Sequence, residues 1–335
     1  MVTQSRIVTT FTRRLEGEDA SDYDAFVDAA RGGAYAQARA WVPAALAGRR
    51  FAARWFLARG DRDARVIGAA LVLRVRAFGP FTAPMAIVER GPVVADLADL
   101  GDVLGALRRA CLARGILRLQ VMPYWADDDA DEAERILARS GFACVHTPAS
   151  AHARTLRVTL AGKDGDAIFA GKAGESLRRK IRQAEKAGCV ARRGTRADTQ
   201  TLARLYAQLM GDQGRADKPT AYWDALGALD RAGRGAIFVA EHDGEPVSAL
   251  YASKHGRVAT FVVGASSDKD VPFSKMVPSM TAAIRWAHAE GCEAFDMGGI
   301  PMENDTDEKR RSIAQFKLDF AKTPVRLVRE HARWL

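Results

Sequence analysis

A chain of 335 residues, 48% hydrophobic and 27% charged, has a globular composition and enough length for two ordinary domains that each bury a core. Its longest apolar stretch, Val66 to Leu73, is far too short to cross a bilayer, and the polar start Met1 to Arg14 lacks the apolar region of a secretory signal, which argues for a cytoplasmic protein. Four separated cysteines (Cys111, Cys144, Cys189, Cys292) and six histidines without metal-ligand spacing argue against a disulfide framework or a zinc site; no metal is expected, and the thiols read as reduced and mostly buried.

The formal charge of +9 would steer a polyanion toward the surface, whether tRNA, a nucleotide-linked substrate or an anionic membrane. An Arg-rich and Ala-rich composition gives the same charge without any such partner.

In chain order, Arg50 to Ala58 reads as a strand, Arg59 to Ala64 as a turn and Arg65 to Arg76 as a mostly apolar second strand. Asp102 to Ala113 has helical periodicity, Arg114 and Gly115 supply a stop, and Ile116 to Met122 alternates as a strand. Ala133 to Ser140 reads as a helix ended by Gly141, followed by short strands at Phe142 to Val145 and Thr155 to Leu160, with a domain boundary near residues 148 to 154. Helices Glu175 to Ala187 and Asp198 to Met210 open the second half.

The second half then repeats the first: strand Ala236 to Glu241, a DG turn, strand Glu245 to Ser253, helix Val277 to Glu290, Gly291 as stop, and strand Cys292 to Met297. A hairpin, a helix and another strand recur at similar offsets, as expected of a duplicated α/β unit. The tail, Val325 to Trp334, lies beyond the second copy.

Three segments carry candidate chemistry. On Glu175 to Gly188, Leu177, Ile181 and Ala184 form a buried stripe while Arg178, Arg182 and Lys186 share a face beside Arg179 and Lys180. Such a face can contact phosphates or simply be solvated. Lys218 and Tyr222 sit one turn apart on a short helical turn begun by Pro219, a cation for a pyrophosphate and a phenol for a sugar, or equally, with Trp223, a structural anchor. In the run from Cys292 to Phe320, Asp296 ends a strand, Gly298 and Gly299 allow close backbone approach, and after an acidic loop Phe316 and Phe320 flank Lys317. An ammonium fixed in this way can sit where an oxyanion or leaving oxygen develops, although a surface lysine beside two core aromatics fits the same pattern. No G-x-G-x-x-G, P-loop or G-x-S-x-G follows a strand, which weighs against dinucleotide enzymes, P-loop NTPases and α/β-hydrolases.

The succession RRKIRQAEKAGCVARRG, KPTAYW, FDMGGI and QFKLDF, preceded by QARAW at Gln37 to Trp41 and ERGPV at Glu89 to Val93, resembles the FemABX family of aminoacyl-tRNA-dependent peptidyl transferases. The resemblance implies two tandem GNAT-like domains, residues 1–152 and 153–321, with mixed twisted sheets flanked by helices. Residues 322–335 would return to the first domain, and there is no room for a long coiled-coil arm. It also implies transfer of an amino acid from aminoacyl-tRNA to an amine of a UDP-linked or lipid-linked muropeptide in cell-wall cross-bridge formation, with no cofactor and with possible peripheral contact to an anionic membrane.

By that pattern Lys317 stabilises the oxyanion or leaving group, and Lys218, Tyr222, Asp296, Gly298 and Gly299 bind substrate. Arg178, Arg179, Arg182 and Lys186 contact tRNA phosphates. Met122 stands where relatives often carry an acid, and Pro43 and Ala44 where some carry a substrate-contacting lysine, two departures that leave room for an acceptor other than the standard UDP-linked muropeptide; Lys218 stands where some carry Arg and lacks that residue's bidentate fork. Two other readings remain: an acyl-CoA-dependent N-acyltransferase acting on an amino sugar or amino acid in envelope polysaccharide synthesis, and a non-catalytic module binding tRNA or a nucleotide sugar. Against the former, GASSDKDVPFSK at Gly264 to Lys275 lacks the Q/R-x-x-G-x-G/A loop.

Overall fold

The computed structural model describes residues 7–61, 64–77, 82–147, 153–165, 167–170, 174–303 and 305–335. The chain divides into two compact units, Met1–Arg154 with Val325–Leu335, and Thr155–Pro324. The sequence boundary expected near 148–154 falls for the most part, at 148–152, outside the described residues, as do positions 62 and 63 of the first expected turn.

The first unit is built on the hairpin Phe51–Gly60 and Val66–Arg76, paired from Phe51↔Val75 to Arg59↔Val66. Both of its faces are covered, so the run is nearly continuous in apolar residues rather than alternating. Phe56, Ala58, Ala70 and Val72 pack under the helix Leu100–Leu112, while Trp55, Leu57, Leu71 and Leu73 pack against Tyr23 and Val27 of the helix Gly17–Ala29. A third antiparallel strand, Thr82–Val88, runs parallel to Arg118–Val121, with the helix Leu100–Leu112 lying between them in the chain. The C-terminal strand His331–Trp334 inserts between Arg118–Val121 and Ala143–Cys144.

Three elements of this unit carry little periodicity: the strands Ile7–Thr12 and His331–Trp334 and the acid-rich helix Gly17–Ala29, of which only Ala20, Tyr23 and Val27 are buried. The helix expected from Ala133 begins at Asp127, because three aspartates occupy its first turn and favour the positive end of the helix dipole.

The second unit repeats the plan. The hairpin Gly235–His242 and Glu245–His255 turns through Asp243 and Gly244, both at positive φ as a two-residue hairpin loop requires. Val258–Ser266 follows antiparallel, the helix Met276–Ala289 comes next, and Ala294–Gly299 returns parallel to Val258–Ser266. Arg154–Thr159 pairs antiparallel on the far side of Ala294–Gly299.

The helices Glu175–Lys186, Asp198–Asp212 and Thr220–Arg231 complete the unit with Glu308–Leu318. An edge strand, Val190–Arg193, follows residue 187, its alternation hidden by its arginines. Two expectations are corrected here. The short turn after Pro219 is a twelve-residue helix. Part of the acidic loop before Phe316 is helical, capped by the Asp307 side chain, which accepts from Arg310 N at 2.9 Å.

Cys111, Cys189 and Cys292 are buried and Cys144 is exposed, all four unpaired. Among the described residues no helix is long and apolar enough to cross a membrane, and no group of three or more His, Cys, Asp or Glu side chains could hold a metal ion.

Candidate functional site

The strands Val258–Ser266 and Ala294–Gly299 stay together for three residue pairs only, Val258↔Ala294 to Thr260↔Asp296. Beyond that point the backbone of Ala294–Gly299 departs from regular pairing: its ladder to Arg154–Thr159 also shifts between Asp296 and Gly299. Past Thr260↔Asp296 the two strands share no further ladder pair, and Gly298 and Gly299 follow in the wedge that this leaves.

Asp296 sets this departure. It is 2% exposed, and its carboxylate accepts from the Thr155 hydroxyl, from Gly298 N at 2.7 Å and from Arg157 Nε at 3.3 Å. Expected as a substrate-binding residue, Asp296 is bonded to protein donors, one of them the backbone N–H two residues on. Gly298 is held at φ +77, a conformation other residues adopt only with strain. A Cβ there would lie 3.5 Å from Phe261 O and 3.6 Å from Lys317 Nζ. Gly298→Ala should therefore cost about 1–2 kcal/mol of stability through the backbone alone, read as a lower denaturation midpoint. Gly298→Val adds a β-branched side chain at the same positive φ and bulk against the ammonium, so it should lower stability further than Gly298→Ala and impair activity as well.

Lys317 comes from the last turn of the helix Glu308–Leu318 and is 6% exposed, the most buried residue of that helix. Its Nζ donates to Gly299 O at 2.8 Å and lies 5.9 Å from the centre of the Phe261 ring. Phe316 and Phe320, on either side of Lys317 in sequence, stack edge to face 5.3 Å apart and pack against the core of the unit. Burial pushes the amine from 10.5 down to about 8, with Asp296 pulling it back up in part. The reading of Lys317 as a surface cation is thus corrected: it is a desolvated ammonium in the wedge between two splayed strands. The sequence singles out Lys317, Gly298 and Gly299, which the structure brings together, but not Phe261, Thr155 or Arg157, which lie at ordinary strand positions and become partners only through register.

The basic helix Glu175–Lys186 is tied to the same end of the unit by Lys180, whose ammonium meets Asp319 at 2.5 Å. Arg178 donates to Phe169 O at 2.6 Å, so two of the five cations serve the fold. Arg179, Arg182 and Lys186 are exposed. Lys218 is exposed and places its ammonium 5.1 Å from the centre of the buried Tyr222 ring, whose edge packs on Trp223. Lys218 and Trp223 line a cleft of about 940 Å³ with Arg196, Arg204 and Arg231. Those arginines carry no linear signal, because two helices separated in sequence and the turn before the first of them contribute them.

Residues 171–310 match the acetyltransferase (GNAT) domain family, a segment that includes the wedge but stops short of Lys317. The crystal structure of FemX superposes with a TM-score of 0.81 over 98% of this chain and 97% of its own, at 18% identity.

The chain has the FemX fold.

The UDP-N-acetylmuramoylpentapeptide-lysine N(6)-alanyltransferase of Weissella viridescens is 28% identical over 123 residues, 37% of this chain and 35% of its own, so the match spans about a third of that protein. A tandem GNAT protein from the clavulanic acid biosynthesis pathway also superposes, with a TM-score of 0.54 over 97% of this chain and 98% of its own at 13% identity. The FemABX resemblance carried by the motifs therefore stands in sequence and in fold, and the α/β class with two GNAT-like sheets is present. On the FemX-like scaffold the wedge between Val258–Ser266 and Ala294–Gly299 is the place where main-chain groups and Lys317 converge.

Proposed function

We propose that this protein is an aminoacyltransferase that moves an amino acid from aminoacyl-tRNA to an amine of a peptidoglycan precursor, a UDP-linked or lipid-linked muropeptide. The observation that carries the reading is the buried Lys317 ammonium at the Gly298–Gly299 turn. In the reaction the acceptor amine attacks the aminoacyl ester carbon, a C–N bond forms, the carbonyl oxygen becomes an oxyanion, and the ester C–O bond to the terminal ribose breaks. The amine proton ends on the departing ribose oxygen, and no protein base is assigned to the transfer.

One Lys317 N–H is fixed by Gly299 O; the others would serve the oxyanion or the ribose oxygen. In an apolar, desolvated setting that charge acts more strongly than it would in water, which is why electrostatic stabilisation can suffice. Lys218 and the neighbouring arginines of the cleft suit the phosphates of the precursor, and Arg179, Arg182 and Lys186 suit the tRNA backbone.

Since Lys317 works as the cation, the rate should fall as pH rises through about 8, where the buried amine loses its proton. Stability moves the other way. A lysine whose folded pKa is depressed holds fewer protons folded than unfolded between about 8 and 10.5, so stability rises with pH across that window. A pH–rate profile beside a pH–stability profile reads both signs. Lys317→Arg should remove the alkaline limb while lowering the rate by overpacking the site.

A second reading, acyl-CoA-dependent N-acyl transfer, is favoured by the acetyltransferase family match. The stretch after Val258–Ser266 weighs against it: it lacks the glycine-rich pyrophosphate loop, and Lys275 turns its ammonium to Ser267 O at 2.8 Å. The test is incubation with a mixture of labelled aminoacyl-tRNAs and UDP-muropeptide. Label entering the muropeptide, and abolished by ribonuclease, is the expected result; label entering only from acetyl-CoA in a parallel tube would replace this reading with the second.

A further inference from the structure

In the first unit one end of the sheet gathers arginines from four separate segments. Thr12 pairs with Trp55, so Arg13 follows beside Arg54; Arg54 pairs with Val72 and Ala52 with Arg74; and Arg76 N bonds to Arg50 O at 2.7 Å. By strand alternation Arg13, Arg50, Arg54, Arg74 and Arg76 therefore project from one face, at spacings that let diagonal neighbours touch. Arg114, just past the helix Leu100–Leu112, joins them: it donates to Phe11 O at 3.3 Å and lies over the Phe11 ring, and a Cβ on the adjacent Gly115 would sit 3.9 Å from Arg74 Nη2.

Six cations in one place should repel unless something offsets them. Among the described residues none of the six meets a carboxylate at ion-pair distance. Arg50, Arg54, Arg74 and Arg114 are held by the carbonyls of Ala77, Ala53, Ala83 and Phe11 instead. The Arg54 guanidinium is held below its usual range by burial and by Arg13, Arg74 and Arg76.

The same end exposes apolar side chains. Leu112 is 39% exposed, Leu117 46% and Trp334 69%. Leu117 N bonds to Pro84 O, next to the carbonyl that holds Arg74, and Trp334 pairs with Arg118 while Leu335 N bonds to Leu117 O. Large exposed apolar groups bordered by cations that meet no carboxylate among the described residues are the composition of a surface that lies on a bilayer, with Trp and Leu at the acyl boundary and guanidinium groups at lipid phosphates. A nucleic acid would use the charge but leave Leu112 and Leu117 without a partner.

We infer that this sheet end is a peripheral docking surface for an anionic phospholipid bilayer. It serves to hold the protein where membrane-attached material is within reach, and it depends on no assignment of donor or acceptor in the second unit.

The test is sedimentation of the full chain with vesicles of 30% phosphatidylglycerol in phosphatidylcholine, and with phosphatidylcholine alone. Partition should favour the anionic vesicles and weaken with added salt. Arg50, Arg76 and Arg114 are exposed, so R50Q/R76Q/R114Q should fold normally by circular dichroism and lose about a hundred-fold in partition, roughly five-fold for each arginine. Leu117→Ser with Trp334→Ser should lose several-fold on anionic vesicles with the salt dependence retained. Wild-type protein that ignores the anionic lipid, or a triple variant that partitions like wild type, would overturn the inference. So would a triple variant that loses tRNA in filter binding but keeps its vesicles, which would make the patch an RNA site.

Discussion

Replacing Lys317 by alanine is expected to lower kcat for transfer by roughly 10²–10³ with little change in KM, the size seen when one preorganised donor to a developing oxyanion is removed. The reasoning is geometric. The ammonium is fixed on Gly299 O, lies 5.9 Å from the centre of the Phe261 ring, and is desolvated, so little reorganisation is needed when negative charge appears beside it. Thermal stability should stay level or rise, because a charge buried at a cost is replaced by a methyl group. A merely structural lysine would give the opposite pattern, a lower Tm and an unchanged kcat per folded molecule, and the two readouts together separate the cases.

Asp296→Ala should be the most destabilising single change at the site, on the order of 2–4 kcal/mol. It leaves the Thr155 hydroxyl and Gly298 N without their acceptor and removes the carboxylate opposite Arg157, all around a position 2% exposed. Chemical denaturation measures it directly. Asp296→Asn separates charge from shape: the amide can still accept from Thr155 or Gly298, while Lys317 loses the carboxylate that holds its pKa up. The alkaline fall in rate should then begin at lower pH than in the wild type. An unchanged pH profile in a folded Asp296→Asn protein would mean that the two groups are not electrostatically linked as described.

The hairpins, the helices following them and the repeat of that order were legible because they are long and buried, so their apolar patterning is strong: Val66–Arg76 and Glu245–His255 each run eleven residues through a core. Val190–Arg193 and Gly17–Ala29 were not, since an edge strand rich in arginine and a helix burying three residues leave little pattern to read. At the site, Lys317 and the paired glycines stood out by residue type. Their burial did not, because nothing in QFKLDF says that the lysine rather than a phenylalanine points most deeply inward. Arg157, Thr155 and Phe261 were invisible for a different reason: register across three strands creates their contacts, and register is a property of the sheet. The arginine face of the first unit belongs to the same class, with members spread from residue 13 to residue 114.

The most direct test of the central reading is the intact mass of the muropeptide after incubation with both aminoacyl-tRNA and acetyl-CoA in one tube. The account predicts a gain of one amino-acid residue on the acceptor amine, absent without tRNA and strongly reduced in Lys317→Ala. A gain of one acetyl group, with no amino acid added, would contradict it.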